Sequence, residues 1–176
     1  QRREILRQST KPSIFVTPDF ESMGDVIAMA EVVAGGADAL REKPITACYI
    51  NVTGPLRHNA ESLQKLLFLA ERNLPTTYIP VVLRGLNGPV TQAGATVLAN
   101  AGEMVGVVLA QLKREGAPVI ISGGTSDTVD MRTLVGSYAA PENRVLFMEV
   151  AHAYGLPMFG LGGGSDSKLP DEQAAA

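Results

Sequence analysis

The sequence predicts an α/β protein in which parallel β-strands alternate with covering helices. Five short apolar segments, rich in β-branched and aromatic residues, are separated by longer segments with apolar residues at helical spacing. The first strand–helix junction carries no G-x-G-x-x-G, and G-x-x-x-x-G-K-[ST] is absent from the sequence, which disfavours a nucleotide-binding doubly wound sheet. The alternative is part of a (β/α)8 barrel, since the chain's 176 residues fall short of the roughly 250 that a closed barrel needs.

The first two predicted strands enclose a helix. Residues 12–17 (PSIFVT) have the apolar composition of a buried strand, and we expect no defined structure over residues 1–11. Residues 20–34 repeat apolar side chains at helical spacing, and Gly35-Gly36 ends that helix. Residues 45–52 (ITACYINV) form the second strand.

The middle of the chain continues the alternation. Asn59 is a typical N-cap for a helix with leucines on one face, and residues 76–79 form a short third strand. Pro80 ends this strand because proline cannot donate to a ladder. Residues 91–112 form a long apolar helix, followed by Lys113-Arg114, where cations suit the helix dipole.

The last part of the chain contains two more strands. Residues 118–122 (PVIIS) form the fourth strand and residues 156–159 the fifth. Between them, Pro141 stands at a first helical position and residues 142–154 form a helix. Pro170 opens a further helix that Ala176 interrupts, so we expect a piece of a longer protein.

Composition and charge exclude several classes of protein. A net charge of −3 without a basic face disfavours sequence-independent nucleic-acid binding. One cysteine excludes an internal disulfide and a cysteine-rich zinc site, and two histidines leave little for a transition metal. The start lacks a signal core, and the apolar run 86–112 is too polar for a spanning helix. We therefore expect a cytoplasmic enzyme without a directly bound metal.

Polar residues gather after the strands, where both architectures bind ligands. Gly-rich turns there could cradle a phosphate through backbone N–H groups or simply be tight turns. Asp166 and Lys168 form either a surface ion pair or a catalytic acid–base and orienting pair. The glycine-rich candidates are Ser122, Gly123, Gly162, Gly163 and Gly164, and the other polar candidates include Asn87, Asp127, Asp130 and Tyr138.

Three further reactive side chains have simpler interpretations. Cys48 lies in the middle of a strand, so we expect a packed core thiol. His152 lies within a helix away from the strand ends, and His58 lies at a helix start. We expect a structural or surface role for His152 and a surface position near the helix cap for His58.

The segment 88–94 (GPVTQAG) resembles the trimethylamine methyltransferase family. Similar segments follow in family order over roughly residues 12–176, which makes the resemblance specific. They include residues 97–103, 109–112, 116–120, 130–133, 140–142, 154–157, 165–168 and 170–174. The resemblance implies a TIM-barrel methyltransferase, of which this chain covers about five βα units, that moves a methyl group from a methylated amine to the Co(I) of a partner corrinoid protein. The family polypeptide is far longer than this chain, and we expect a homo-oligomer at full length.

Departures from the family narrow the expected substrate. Gly54 stands where family members commonly have Ser, and Ala139-Ala140 replace Gly-Ser. Some members use pyrrolysine, expected in the glycine-rich segment near residues 162–164, where this chain has only standard residues. A quaternary amine such as a betaine needs no covalent activation, because its nitrogen is already a leaving group.

Resemblance and chemistry together suggest residue roles. Aromatic faces and carboxylates would hold the quaternary cation, which makes Tyr138, Asp127, Asp130 and Glu142 candidates. Asn87 would donate to a substrate carboxylate. Two alternatives remain open: a non-catalytic module that binds a small cation, and a phosphate-binding barrel enzyme that uses the glycine-rich loops.

Overall fold

The structure is a computed structural model, and it describes residues 1–122, 125–126, 129–130, 132, 135–136 and 142–160. Side chains are described for the same residues except 125–126, 129–130, 135–136 and 142–144. Helices and strands alternate along the chain. The helices are α1 (Arg2–Gln8), α2 (Phe20–Ala34), α3 (Ala37–Glu42), α4 (Ala60–Arg72), α5 (Gln92–Lys113) and α6 (Glu142–Tyr154). The strands are β1 (Ser13–Phe15), β2 (Thr46–Val52), β3 (Thr76–Pro80), β4 (Val82–Leu83), β5 (Val119–Ser122), β6 (Thr125–Ser126), β7 (Val129–Asp130), β8 (Val135–Gly136) and β9 (Met158–Phe159).

Five of these strands hydrogen-bond in the order β1-β2-β3-β5-β9. The register is parallel where β1 pairs with β2, where β3 pairs with β5, and where β5 pairs with β9. Short pairs lie outside this sheet: β4 with β6 in parallel, and β7 with β8 antiparallel. The observed fold is therefore mixed α/β with a parallel five-stranded sheet, as the alternation of segments predicts.

Contacts divide the chain into two compact units. The first unit comprises residues 1–51, 58–78 and 105–120, and the second comprises residues 52–57, 79–104 and 121–176. In the first unit, α2 begins at Asp19, whose carboxylate accepts from the Ser22 N–H at 2.6 Å. The helix ends at Gly35, whose φ of 93° lies in the left-handed region that glycine adopts without strain.

The core of the second unit joins two helices to two strands. The side chains of Ala95 and Ala99 on α5 pack with Phe147 and Ala151 on α6, and with Val82 and Ile121 on the strands. All six residues are buried. Because Ala95 and Ala99 have small side chains, α5 can pack close to the neighbouring helix and strands.

Helix α5 is long and apolar enough to cross a membrane by length and composition. The sequence-based expectation that the run 86–112 is too polar to span a membrane therefore fails by this criterion, and 39% of the apolar window of α5 is buried. Within the second unit, a Cβ on Gly102 would lie only 2.5 Å from the Pro55 carbonyl oxygen. Gly102 therefore packs closely in this unit, and the neighbouring Glu103 is buried.

The predicted elements correspond closely to the observed ones in the described part of the chain. Helix α2 has the predicted bounds, and β2 and β5 differ by one residue at their starts. Local patterns did not predict α1 within residues 1–11 or the short elements α3, β4, β6, β7 and β8, and β1 and β9 are shorter than the predicted strands 12–17 and 156–159. The helix expected after Pro170 lies outside the described residues.

Candidate functional site

The carboxyl ends of parallel strands are where α/β sheets bind ligands. In the first unit, helix α4 fixes the chain at the ends of β1 and β2. The buried Lys65 donates from Nζ to the Thr17 carbonyl oxygen at 2.9 Å, and Ser62 donates from Oγ to the Asn51 carbonyl oxygen at 2.6 Å. Glu61 accepts from the Phe20 N–H. These bonds hold two strand-exit segments against one rigid helix.

His58 and Tyr78 form a hydrogen-bonded pair at these strand ends. The His58 Nδ1 lies 2.9 Å from the Tyr78 hydroxyl, and the two rings stack with centroids 5.8 Å apart. Tyr78 is buried, and burial raises the pKa of its phenol to about 12. A neutral phenol therefore fixes the orientation of the imidazole. The sequence suggests that His58 lies on the surface, but the contact with Tyr78 makes it half-buried. Local sequence does not reveal this contact, because Tyr78 lies 20 residues further along the chain.

Helix α5 packs closely against Tyr78 because Gly106 has no side chain. A Cβ at this position would lie 2.3 Å from Tyr78 Cδ1, closer than real Cβ contacts occur. The ring of Tyr78 therefore packs against the backbone of α5 at Gly106, and its hydroxyl contacts His58.

Glu103 is a buried titratable group in the described part of the second unit. Its side chain is 2% exposed, and Oε1 accepts from the Ser122 backbone N–H at 3.1 Å. Burial raises the pKa of this carboxyl to about 8, and the Ser122 N–H opposes the shift. A carboxyl that stays protonated at neutral pH is a common feature of functional sites. The sequence analysis did not select Glu103, although a lone acid interrupting the apolar run 86–112 was a usable signal.

Ser122 is a predicted ligand-binding residue at the end of β5. The structure buries it to 2% exposure and commits its N–H to Glu103. While this bond persists, the amide cannot donate to a phosphate. The bond takes this N–H away from the phosphate-binding alternative and fixes the end of β5 to α5.

Asn87 is a predicted substrate-binding residue, and the structure places it in an exposed turn after β4. Its Oδ1 accepts from the Leu83 N–H at 2.7 Å, and its Nδ2 donates to the Val81 carbonyl oxygen at 3.0 Å. Both ends of the amide are thus used to close the turn. The predicted contact of Asn87 with a substrate stays a prediction.

Replacing Asn87 distinguishes a role in closing the turn from the predicted role in binding substrate. Because Asn87→Ala removes both local bonds, we expect a loss of about 1 kcal/mol in unfolding free energy and an unchanged KM for the substrate of the full polypeptide. Leu86→Ala is the matched control, since Leu86 is 65% exposed in the same turn and should change neither quantity. Denaturant unfolding and steady-state kinetics measure the two effects. A raised KM with unchanged stability would instead support the predicted substrate contact.

The other candidate side chains lie outside the described residues and stay predictions. For Asp130 and Glu142 only the backbone is described, in β7 and at the start of α6. The remaining candidates without a described position are Gly123, Asp127, Tyr138, Gly162, Gly163, Gly164, Asp166 and Lys168.

Two of the simpler interpretations are confirmed. Cys48 is a buried free thiol, and burial raises its pKa to about 12, so it is no activated nucleophile. His152 is exposed on α6. Among the described residues, no group of three or more His, Cys, Asp and Glu side chains could hold a metal ion.

Comparison with known proteins adds the chemistry of relatives to this geometry. The profile of the family described as Trimethylamine methyltransferase (MTTB) matches residues 3–176. The chain is 31% identical over 176 residues to a trimethylamine methyltransferase MttB of Desulfitobacterium hafniense, covering 98% of this chain and 35% of that protein.

Other relatives carry a second substrate name. The chain is 35% identical over 157 residues to a glycine betaine methyltransferase of Desulfitobacterium hafniense, covering 88% of this chain and 33% of the relative. It is 33% identical over 143 residues to a trimethylamine methyltransferase MttB of Methanosarcina thermophila, covering 80% and 29%. The chain thus spans about a third of the length of the curated relatives it matches. The family match across nearly the whole sequence shows that this chain belongs to the trimethylamine methyltransferase family.

Proposed function

We propose that this chain forms part of a methyltransferase that removes a methyl group from a quaternary methylamine resembling glycine betaine. The methyl acceptor in this proposal is the Co(I) of a partner corrinoid protein. The observation that carries the proposal is the family match over residues 3–176, with relatives named for methylated-amine substrates. The parallel five-stranded sheet supports a place for the chain within an eight-stranded barrel of the longer protein.

The chemistry of the donor favours a quaternary amine. Its nitrogen already carries a full positive charge, so the carbon–nitrogen bond can break with the electron pair left on nitrogen. The acceptor supplies the pair for the new bond to carbon. The protein then needs only to hold the cation and align the methyl group, which is positioning rather than covalent catalysis. Standard residues at 162–164, where the family resemblance places pyrrolysine, agree with this requirement.

The described residues contribute rigidity to such a site. Lys65 and Ser62 hold the exits of β1 and β2, and Glu103 holds the exit of β5. Tyr138, Asp127, Asp130 and Glu142 remain the proposed cage for the cation, and Asp166 and Lys168 remain the proposed catalytic pair. The corrinoid belongs to the partner, so we propose no metal ligand in this chain. We also propose a homo-oligomer in the cytoplasm.

A methyl-transfer assay tests the proposal. The full polypeptide that contains this chain is incubated with cob(I)alamin and one candidate donor at a time: glycine betaine, trimethylamine or choline. Methylation of the corrinoid is followed by its absorption spectrum. We expect turnover with glycine betaine and none with trimethylamine, and glycine provides the control without a transferable methyl group.

The same assay separates the alternatives. Turnover with trimethylamine alone would overturn the choice of a quaternary donor while leaving methyl transfer in place. Calorimetric binding of a donor without any corrinoid methylation would favour a non-catalytic cation-binding module and would contradict the proposed enzyme.

A further inference from the structure

Helix α5 carries a row of buried polar side chains that the proposed function does not use. Four residues each bury one polar atom for which the described part of the molecule provides no hydrogen-bond partner. These atoms are Gln92 Nε2, Thr96 Oγ1, Asn100 Oδ1 and Glu103 Oε2. Buried polar groups are bonded in more than nine cases out of ten, so a run of four along one helix requires an explanation.

The spacing of these residues places them on one face of the helix. At 3.6 residues per turn, positions 92, 96, 100 and 103 fall within an arc of about 80°. We call this face the polar row. It lies beside the small-residue face that includes Ala95 and Ala99 and packs into the core of the second unit. Thr96 is 6% exposed and Glu103 is 2% exposed, so the row runs through the protein interior.

The spacing along the row suits bridging by water. Side chains four residues apart on a helix have Cβ atoms about 6 Å apart, and none of the four polar atoms has a hydrogen-bond partner among the described residues. One water between two polar atoms spans about 5.6 Å, twice a normal O–H···O distance. The row also contains both hydrogen-bond donors and acceptors, which water needs on its two sides. Its groups are the Gln92 amide donor, the Thr96 hydroxyl, the Asn100 amide acceptor and the Glu103 carboxyl.

The members of the row differ in exposure. Gln92 and Asn100 are half-buried, and Asn100 Nδ2 donates to the exposed Tyr154 hydroxyl at 2.9 Å. The Asn100 Oδ1 atom is buried without a partner among the described residues. Glu103 accepts through Oε1 from the Ser122 N–H, so Oε2 is the carboxyl oxygen left for the row.

We infer that the polar row binds a file of ordered water molecules through which the buried Glu103 carboxyl exchanges its proton with solvent. Each water would bond two or more of the four side chains, in the way buried water satisfies internal polar groups. The inference does not depend on methyl transfer, because it concerns only the side chains of α5.

Substitution of Thr96 by Val tests the water file in the full polypeptide. Val keeps the shape and the helix propensity of Thr but removes the hydroxyl. If the Thr96 hydroxyl is hydrogen-bonded to water, its removal breaks that bond and destabilises the protein. We therefore expect the melting temperature to fall by roughly 3 °C. Thr77→Val is the matched control, because Thr77 Oγ1 is also buried without a partner but lies on β3, away from the row. Its melting temperature should stay unchanged or rise.

Proton exchange is the second measurement. The infrared C=O band of the protonated Glu103 carboxyl, identified by its loss in Glu103→Gln, shifts when its proton is replaced by deuterium. After transfer into D2O, we expect this shift to be slower in Thr96→Val than in wild type, and Thr96→Ser to restore the wild-type rate. The inference is overturned if Thr96→Val stabilises the protein as Thr77→Val does, or if the exchange rate is the same in all variants.

Discussion

Glu103→Gln is expected to abolish most of the loss of stability that this protein shows as pH rises from about 5 to about 8. Gln keeps the oxygen that accepts from the Ser122 N–H but has no ionisable group. In the wild type, burial raises the pKa of Glu103 from 4.5 to about 8. The folded protein therefore binds one more proton than the unfolded chain between these two pH values.

The sign of the effect follows from this difference in bound protons. Stability falls as pH rises wherever the folded state holds more protons. The contribution of Glu103 is fully present below pH 4.5 and is lost as pH rises to about 8. The difference between the two pKa values corresponds to a change in unfolding free energy on the order of 5 kcal/mol, because each pKa unit corresponds to about 1.4 kcal/mol. Above pH 8 this group adds no further pH dependence.

Denaturant unfolding from pH 5 to pH 9 measures the effect. We expect wild type to lose unfolding free energy over this range and Glu103→Gln to lose much less. Glu149→Gln is the matched control, since Glu149 is exposed on α6 and its replacement should leave the wild-type profile in place. A Glu103→Gln profile parallel to that of wild type would show that the carboxyl ionises normally in the folded protein.

Gly106→Ala is expected to destabilise the protein by about 2 kcal/mol. Alanine normally stabilises a helix relative to glycine by about 1 kcal/mol. Here the added Cβ would overlap the ring of the buried Tyr78, at 2.3 Å from Cδ1, and overpacking of this kind costs about 3 kcal/mol. The clash outweighs the gain in helix propensity. It should also disturb the bond between the Tyr78 hydroxyl and His58.

Gly24→Ala is the matched control for this substitution. Gly24 also lies inside a helix, α2, but a Cβ there meets no atom within 4 Å. This variant should be about 1 kcal/mol more stable than wild type, from helix propensity alone. Unfolding free energies of opposite sign for the two variants are the expected result. Equal stabilisation by both would mean that α5 does not approach Tyr78 as described.

Local sequence patterns were sufficient for most of the regular structure. The apolar spacing within 20–34 and the Gly35-Gly36 pair predicted helix α2 with its observed bounds. Pro80 ends β3 as expected, because proline has no N–H for a ladder. Asn59 is the N-cap residue of α4, but its side chain makes no capping bond, and its Oδ1 is buried without a described partner. The sequence thus predicted where α4 begins, but it did not predict that the Asn59 side chain makes no capping hydrogen bond.

The candidate site was less predictable because its bonds join distant residues. His58 meets Tyr78 across 20 residues, and Glu103 meets Ser122 across 19. Neither pair has a spacing that a helix or strand would bring together. Burial also depends on tertiary packing, so the raised pKa of Glu103 could not be derived from composition. Asn87 illustrates the reverse case, since a polar residue in a strand-exit loop proved to bond its own turn.

We propose that a polypeptide containing this chain transfers a methyl group from a quaternary amine. The most direct test supplies glycine betaine labelled with 13C in its methyl groups, together with cob(I)alamin and the full polypeptide. We predict one labelled methyl group on the corrinoid for each dimethylglycine formed. Dimethylglycine formed without label on the corrinoid, or no product from any quaternary donor, would contradict the claim.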